Sequence, residues 1–147
     1  MSIALIPIRV QAVWLLLDAA PVQEILGAQP WLWMPHARRE LPGVLAWRGR
    51  AVPLVDLGAV LGIDMLALRE SRQRTLIAET ERGFLAIPVD EVREVQSVPS
   101  GQIREAHAVE RPFSPTEADL QDAVMSVLDL PSLVTTLCGG ALQASSD

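Results

Sequence analysis

Apolar residues in this chain come in short runs, each stopped by a Gly, a Pro or a charge, and that spacing predicts strands rather than long helices. Ile3 to Ile8 and Ala12 to Leu17 are the first two runs, and Asp18-Ala19-Ala20-Pro21 turns the chain into Val22-Gln23-Glu24-Ile25. Consecutive apolar residues without polar alternation suit strands covered on both faces. The clearest stretch is Leu41 to Gly62. Val44 to Trp47 and Ala51 to Val55 flank Arg48-Gly49-Arg50, where Gly49 is free to take positive φ, so a strand, tight turn and strand are expected. Asp56 then ends the strand and can cap a short helix from Leu57 to Leu61, with Gly62 placed for a left-handed C-terminus.

The ending repeats. Val124-Met125-Ser126-Val127-Leu128-Asp129-Leu130 aligns with Ala51 to Leu57, and Ile87-Pro88-Val89-Asp90-Glu91-Val92 aligns with Ala20 to Ile25 in the same order. Two similar β-rich halves are therefore expected within one domain of 147 residues, meeting in the charged stretch near 64–74. Arg74 to Glu79 and Gly83 to Val89 read as a second hairpin, and Val92 to Val98 as a strand with one wet face. Ser114-Pro115-Thr116-Glu117 carries a capping Ser, a Pro in first helical position and a Glu three residues after the cap, so a helix is expected to start there. A last helix is expected over Pro131 to Leu137, followed by a frayed tail from Ala141. For Trp31, Trp33 and Met34 two readings stay open: rings folded back onto the core, or an exposed contact patch.

Composition narrows the function. Apolar residues make up 50%, ample for a core, and the net charge of −6 argues against phosphate-backbone binding. All 12 cations are Arg, which excludes Schiff-base and P-loop lysines and favours forked pairing with carboxylates. A single cysteine, Cys138, permits no internal disulfide, and no apolar run is long enough for a membrane span, so a cytoplasmic protein without membrane insertion is expected.

Catalytic chemistry finds no support. His36 and His107 stand alone, without HExxH or Cys/His spacing, so no metal site is expected. Neither GxSxG nor GxGxxG occurs, and Cys138 lies at the C-terminal pole of an expected helix rather than the thiolate-favouring N-terminal one. The acid pairs Asp90-Glu91 and Glu79/Glu81 read as solvated strand ends. A small hydrolase would need a nucleophile that is missing, and a proline-rich peptide binder would need an aromatic groove, poorly supplied by Phe84, Phe113 and four Trp without any Tyr.

Gly43-Val44-Leu45-Ala46-Trp47-Arg48-Gly49-Arg50-Ala51-Val52-Pro53-Leu54-Val55-Asp56-Leu57 resembles the glycine-to-aspartate motif of the CheW-like domain of bacterial chemotaxis coupling proteins. Pro21 to Ile25 and Leu85 to Val95 resemble two further strands of that family. Ala46, Trp47 and Arg38 stand where the family commonly has Asn, Leu and Pro. The resemblance implies a mainly β fold of two SH3-like β-barrel subdomains related by a pseudo-twofold. It implies a non-catalytic adaptor that needs no cofactor and couples a chemoreceptor tip to the regulatory domain of a chemotaxis-type histidine kinase. By the same resemblance Glu24 and Arg48 form an ion pair, and Val22, Gly43 and Val89 lie at partner contact surfaces. A diverged interaction module that has lost one partner surface is the alternative.

Overall fold

The computed structural model describes residues 1–35, 37–63, 74–105, 116–120 and 123–137. The expectations for His36, His107, Ser114, Pro115, Cys138 and the tail lie outside them, as does most of the expected boundary near 64–74. Thirteen strands are described: β1 Ser2–Val10, β2 Val13–Asp18, β3 Val22–Leu26, β4 Leu32–Trp33, β5 Gly43–Trp47, β6 Arg50–Leu54, β7 Arg74–Thr80, β8 Gly83–Val89, β9 Glu91–Val92, β10 Gln96–Pro99, β11 Ile103–Glu105, β12 Thr116–Leu120 and β13 Ala123–Leu128. The helices are short: α1 Leu57–Leu61, a 3-10 turn at Ser100–Gln102, and α2 over residues 130–137. The protein is mainly β, as the short runs predict.

The strands form two sheets. One has the order β10-β1-β2-β13-β12-β11, with β9 beside β1; the other has the order β3-β7-β8-β6-β5-β4. Read from either list, the plan is the same: an edge strand, a hairpin, one parallel contact, then a three-stranded meander. The parallel contact is β2 with β13 in the first sheet, Leu16 opposite Val127, and β8 with β6 in the second, Ala86 opposite Leu54. Each strand path ends at a free edge, so the sheets are SH3-like in plan but are not closed barrels among the described residues.

The chain nonetheless changes sheet in an unexpected way. Each half of the sequence makes a hairpin, a strand, a meander and an Asp-capped helix, but the hairpins are exchanged. β1–β2 joins β10 to β13, and β7–β8 joins β3 to β6. The compact units are accordingly Met1–Ile8, Trp14–Ala20 and Arg93–Asp147 for one, and Arg9–Val13 and Pro21–Val92 for the other. The chain thus changes unit near Ala20 and Val92, whereas α1 and β7, on either side of 64–74, share a unit.

One of the two repeat matches survives this topology. β6 and β13 hold equivalent places, and both run into an aspartate cap. Asp56 accepts from the Ala59 N–H at 3.2 Å through its side chain, and from the Val60 N–H at 3.0 Å through its carbonyl. Asp129 accepts from the Ser132 N–H at 3.3 Å and from the Leu133 N–H at 2.9 Å in the same two ways, and its carboxylate also accepts the Ser132 hydroxyl. Gly62 is left-handed at φ 72°, as its position after α1 predicts. The other match does not survive, because Val22 opens the edge strand β3 while Val89 closes the central strand β8.

The helix expected from Ser114 is also corrected. Thr116–Leu120 is a strand, antiparallel to β11 and β13. Ala118 and Leu120 turn inward against Met125 and Val127, so alternation with period two and pairing on both sides override a four-residue capping signal.

Candidate functional site

The tip of the β5–β6 hairpin is built by two residues with positive φ, Arg48 at 48° and Gly49 at 74°. This pair matches a type I′ turn, whose twist suits the strands it joins. A non-Gly residue in that region is uncommon, and here it aims Arg48 back toward β3. Arg48 Nη2 donates to Glu24 Oε1 at 3.1 Å, the ion pair that the resemblance implied. Glu24 Oε1 also accepts from the indole Nε1 of Trp47 at 3.0 Å, and the guanidinium of Arg48 lies 4.9 Å from the Trp47 ring centre. Beside it Trp47 and Phe84 pack at 4.9 Å with a 59° tilt, and the Arg50 guanidinium sits 5.1 Å from the Phe84 ring. Two arginines therefore lie on two touching aromatic rings.

The other expected residues divide. Val22, half-buried, begins β3 opposite Ala78, and a register shift between Val22 and Glu24 leaves exposed Gln23 as the extra residue of a bulge. Such a bulge re-aims the side chain that follows it, here Glu24. Gly43 is buried opposite Trp33, and a Cβ there would collide with the Leu32 carbonyl oxygen. Its place in the site is to let β4 approach. Val89 is a correction: it is fully buried in β8, paired with Arg74, so it packs in the core and offers no surface to a partner. Its position at the end of an apolar run looked like a strand edge, but β8 lies between β7 and β6.

Two features escaped the sequence reading. Trp47 was visible as a departure from the family pattern, but its indole N–H bond to a residue 23 positions away was not. The second is the outward face of β4–β5–β6. Leu45, Trp47 and Val52 point into the core, which leaves Val44, Ala46, Ala51 and Pro53 outside, beside Leu32 at 66% exposure. A sheet face open to water normally alternates to polar residues. With Pro30, Trp31 and Gly49, this face forms an open groove of about 590 Å³ that reaches Arg50. Trp31 stacks edge-on against Trp33 at 5.9 Å, and Trp33 and Met34 are 42% and 47% exposed, which favours the contact-patch reading of this stretch.

Elsewhere one charged cluster is paired within the chain. Arg104 on β11 forks onto Asp119 at 3.0 and 3.2 Å and reaches Glu117 at 3.3 Å. That hydrogen bond to Asp119 raises the Arg104 pKa, and in turn it holds the Asp119 carboxyl below its ordinary value. Among the described residues no cluster of three or more His, Cys, Asp or Glu could hold a metal, and no helix is long and apolar enough to cross a membrane.

The chain is similar to known proteins. The CheW-like domain profile matches residues 5–138. Protein PilI of Pseudomonas aeruginosa is 32% identical over 106 residues, which are 72% of this chain and 56% of PilI. A probable chemotaxis protein CheW of Rhizobium etli is 34% identical over 52% of this chain and 49% of its own, so the chain spans about half the length of these two relatives. The chemotaxis protein CheW of Rhizobium meliloti is 28% identical over 76% of this chain and 74% of its own. The crystal structure of the scaffolding protein TtCheW from Thermoanaerobacter tengcongensis superposes with a TM-score of 0.77 at 20% identity, covering 87% of this chain and 89% of that one. With its motif, its two sheets and a family match over nearly its whole length, the chain belongs to the CheW-like domain family.

Proposed function

We propose that the chain is a non-catalytic, cytoplasmic adaptor that joins a chemoreceptor tip to the regulatory domain of a chemotaxis-type histidine kinase. The observation that carries this reading is the Glu24–Arg48 pair, held at an exposed hairpin tip beside an apolar sheet face in a CheW-like chain. Arg48 is 69% exposed, so the pair adds only about 0.2–1 kcal/mol to stability and its use lies in shaping a surface. Val22 and Glu24 from β3, Gly43 through β4, and Arg48 from the hairpin tip make up the proposed partner-binding set. The reading requires no cofactor or metal.

Calorimetry with the cognate kinase regulatory domain and, separately, with a receptor-tip fragment tests the proposal. Both should bind, and Arg48→Ala should weaken binding while leaving the melting temperature nearly unchanged. Binding to one fragment alone would support the alternative, a diverged module that has lost one partner surface, to which Ala46 and Trp47 already point. Binding to neither would overturn the adaptor role.

A further inference from the structure

The hairpin tip carries an unbalanced charge. Arg48 spends one N–H group on Glu24 through Nη2 and its flat face on Trp47, and among the described residues its other donors have no acceptor. Arg50 rests on Phe84 and makes no ion pair among the described residues. Glu79, opposite Phe84 in the β7–β8 register, pairs with neither arginine. Two guanidinium groups on adjoining rings are thus served by one carboxylate, in a chain whose net charge is −6. Aromatic faces hold a guanidinium without neutralising it, and they leave its forked N–H edge open to a planar anion. The apolar groove of Leu32, Val44, Ala46 and Ala51 reaches this tip.

We infer that the tip is a receptor for a protein carboxylate: an Asp or Glu of a partner docks against Arg48 and Arg50, with its apolar neighbours along the groove of β4–β5–β6. This rests on the adaptor reading and adds the chemistry of the partner segment. Trp47 is the positioning residue. Its N–H fixes Glu24 and its ring carries Arg48, a double task that the Leu common at this place in the family could not perform. Apolar contact supplies the surface removed from water, and the carboxylate fixes where along the groove the segment sits, since charge complementarity sets register and rejects wrong partners.

The test selects displayed random short peptides against the whole chain and measures the enriched ones by calorimetry. Enriched peptides should share an acidic residue flanked by apolar ones, and replacing that acid by its amide should weaken binding about tenfold, as one desolvated charge contact of about 1.4 kcal/mol requires. Arg50→Gln should weaken the acidic peptide by a similar factor but leave the amide peptide unaffected. Trp47→Phe, which keeps an aromatic ring but loses the N–H, should reduce the preference for acid over amide without lowering the melting temperature by the same proportion. Ala46→Glu should abolish binding of both. The inference is overturned if no peptide is enriched, if those enriched show no acidic preference, or if Arg50→Gln binds as the parent does. It is also overturned if sedimentation shows the chain self-associating through this face until Ala46→Glu is introduced, since a second copy would then be the occupant. No kinase or receptor takes part in the selection, so its failure is separate from the failure of those partners to bind.

Discussion

The meanders β11–β12–β13 and β4–β5–β6 hold the same place in two sheets of one plan, yet their outward faces differ in kind. Outside β11–β12–β13 lie Arg104, Asp119, Ser126 and one exposed apolar residue, Val124, and Arg104 ties Asp119 and the buried Glu117 of β12 to the edge strand. Outside β4–β5–β6 lie Leu32, Val44, Ala46, Ala51 and Pro53, without a charge among them. Charges on an outward face and edge discourage stray strand pairing, and on the first face Arg104 pairs with both Glu117 and Asp119. The second leaves a contiguous apolar patch in water at a free edge, the kind of surface on which the proposed docking rests. Topology alone does not tell the two faces apart; the outward half of the alternation does.

The comparison can be broken most severely where the two sheets agree, in the buried hairpins. Val89→Asp should place an unpaired charge in the core of β8 and cost about 4 kcal/mol or more, leaving no cooperative melting transition by circular dichroism. Gly43→Val should come next. The new side chain would collide with the Leu32 carbonyl, push β4 away and cost about 1–3 kcal/mol in urea unfolding, with the Leu32 and Trp33 amides losing protection from hydrogen exchange.

Rewriting one face in the terms of the other sharpens the contrast. Ala46 and Ala51 are directly opposite, so Ala46→Glu with Ala51→Arg installs a cross-strand ion pair. Stability should change by only about 0.5 kcal/mol, while partner binding measured by calorimetry disappears. The smallest effect belongs to Asp119. Its carboxyl is held below its ordinary value when folded and returns to it on unfolding, so its contribution is present above the ordinary carboxylate range and is lost as pH falls through the folded value. Thermal melts on the acid side should show this slope, and Asp119→Asn should flatten it.

Legibility in the sequence followed the range of the interaction. The hairpin at Arg48-Gly49, the Asp56 cap and the left-handed Gly62 are local, set by turn geometry within a few residues, and they were readable. The Glu24–Arg48 pair came from resemblance, since nothing local links β3 to a turn 24 residues later. The burial of Val89 and the exchange of hairpins depend on which strands meet, and apolar runs are interchangeable partners until tertiary pairing chooses among them. The strand at Thr116–Leu120 shows the same limit, where a capping pattern competed with two pairing partners and lost. The apolar outer face was readable in principle, because Val44, Ala46, Ala51 and Pro53 are apolar at the positions between core residues.

The hairpin exchange also sets a timetable for synthesis. Every strand of the β3-to-β8 sheet has been made once Val89 leaves the ribosome, but β1 and β2 belong to a sheet whose last strand ends at Leu128. At roughly 5–20 residues per second, the interval from Asp18 to Leu128 is on the order of ten seconds. For that time Leu15, Leu16 and Leu17, fully buried in the finished protein, lack their parallel neighbour β13. A nascent chain stalled before Leu128 should therefore carry one sheet with all its strands and a greasy, unfinished N-terminal hairpin, the natural point for a chaperone to hold it.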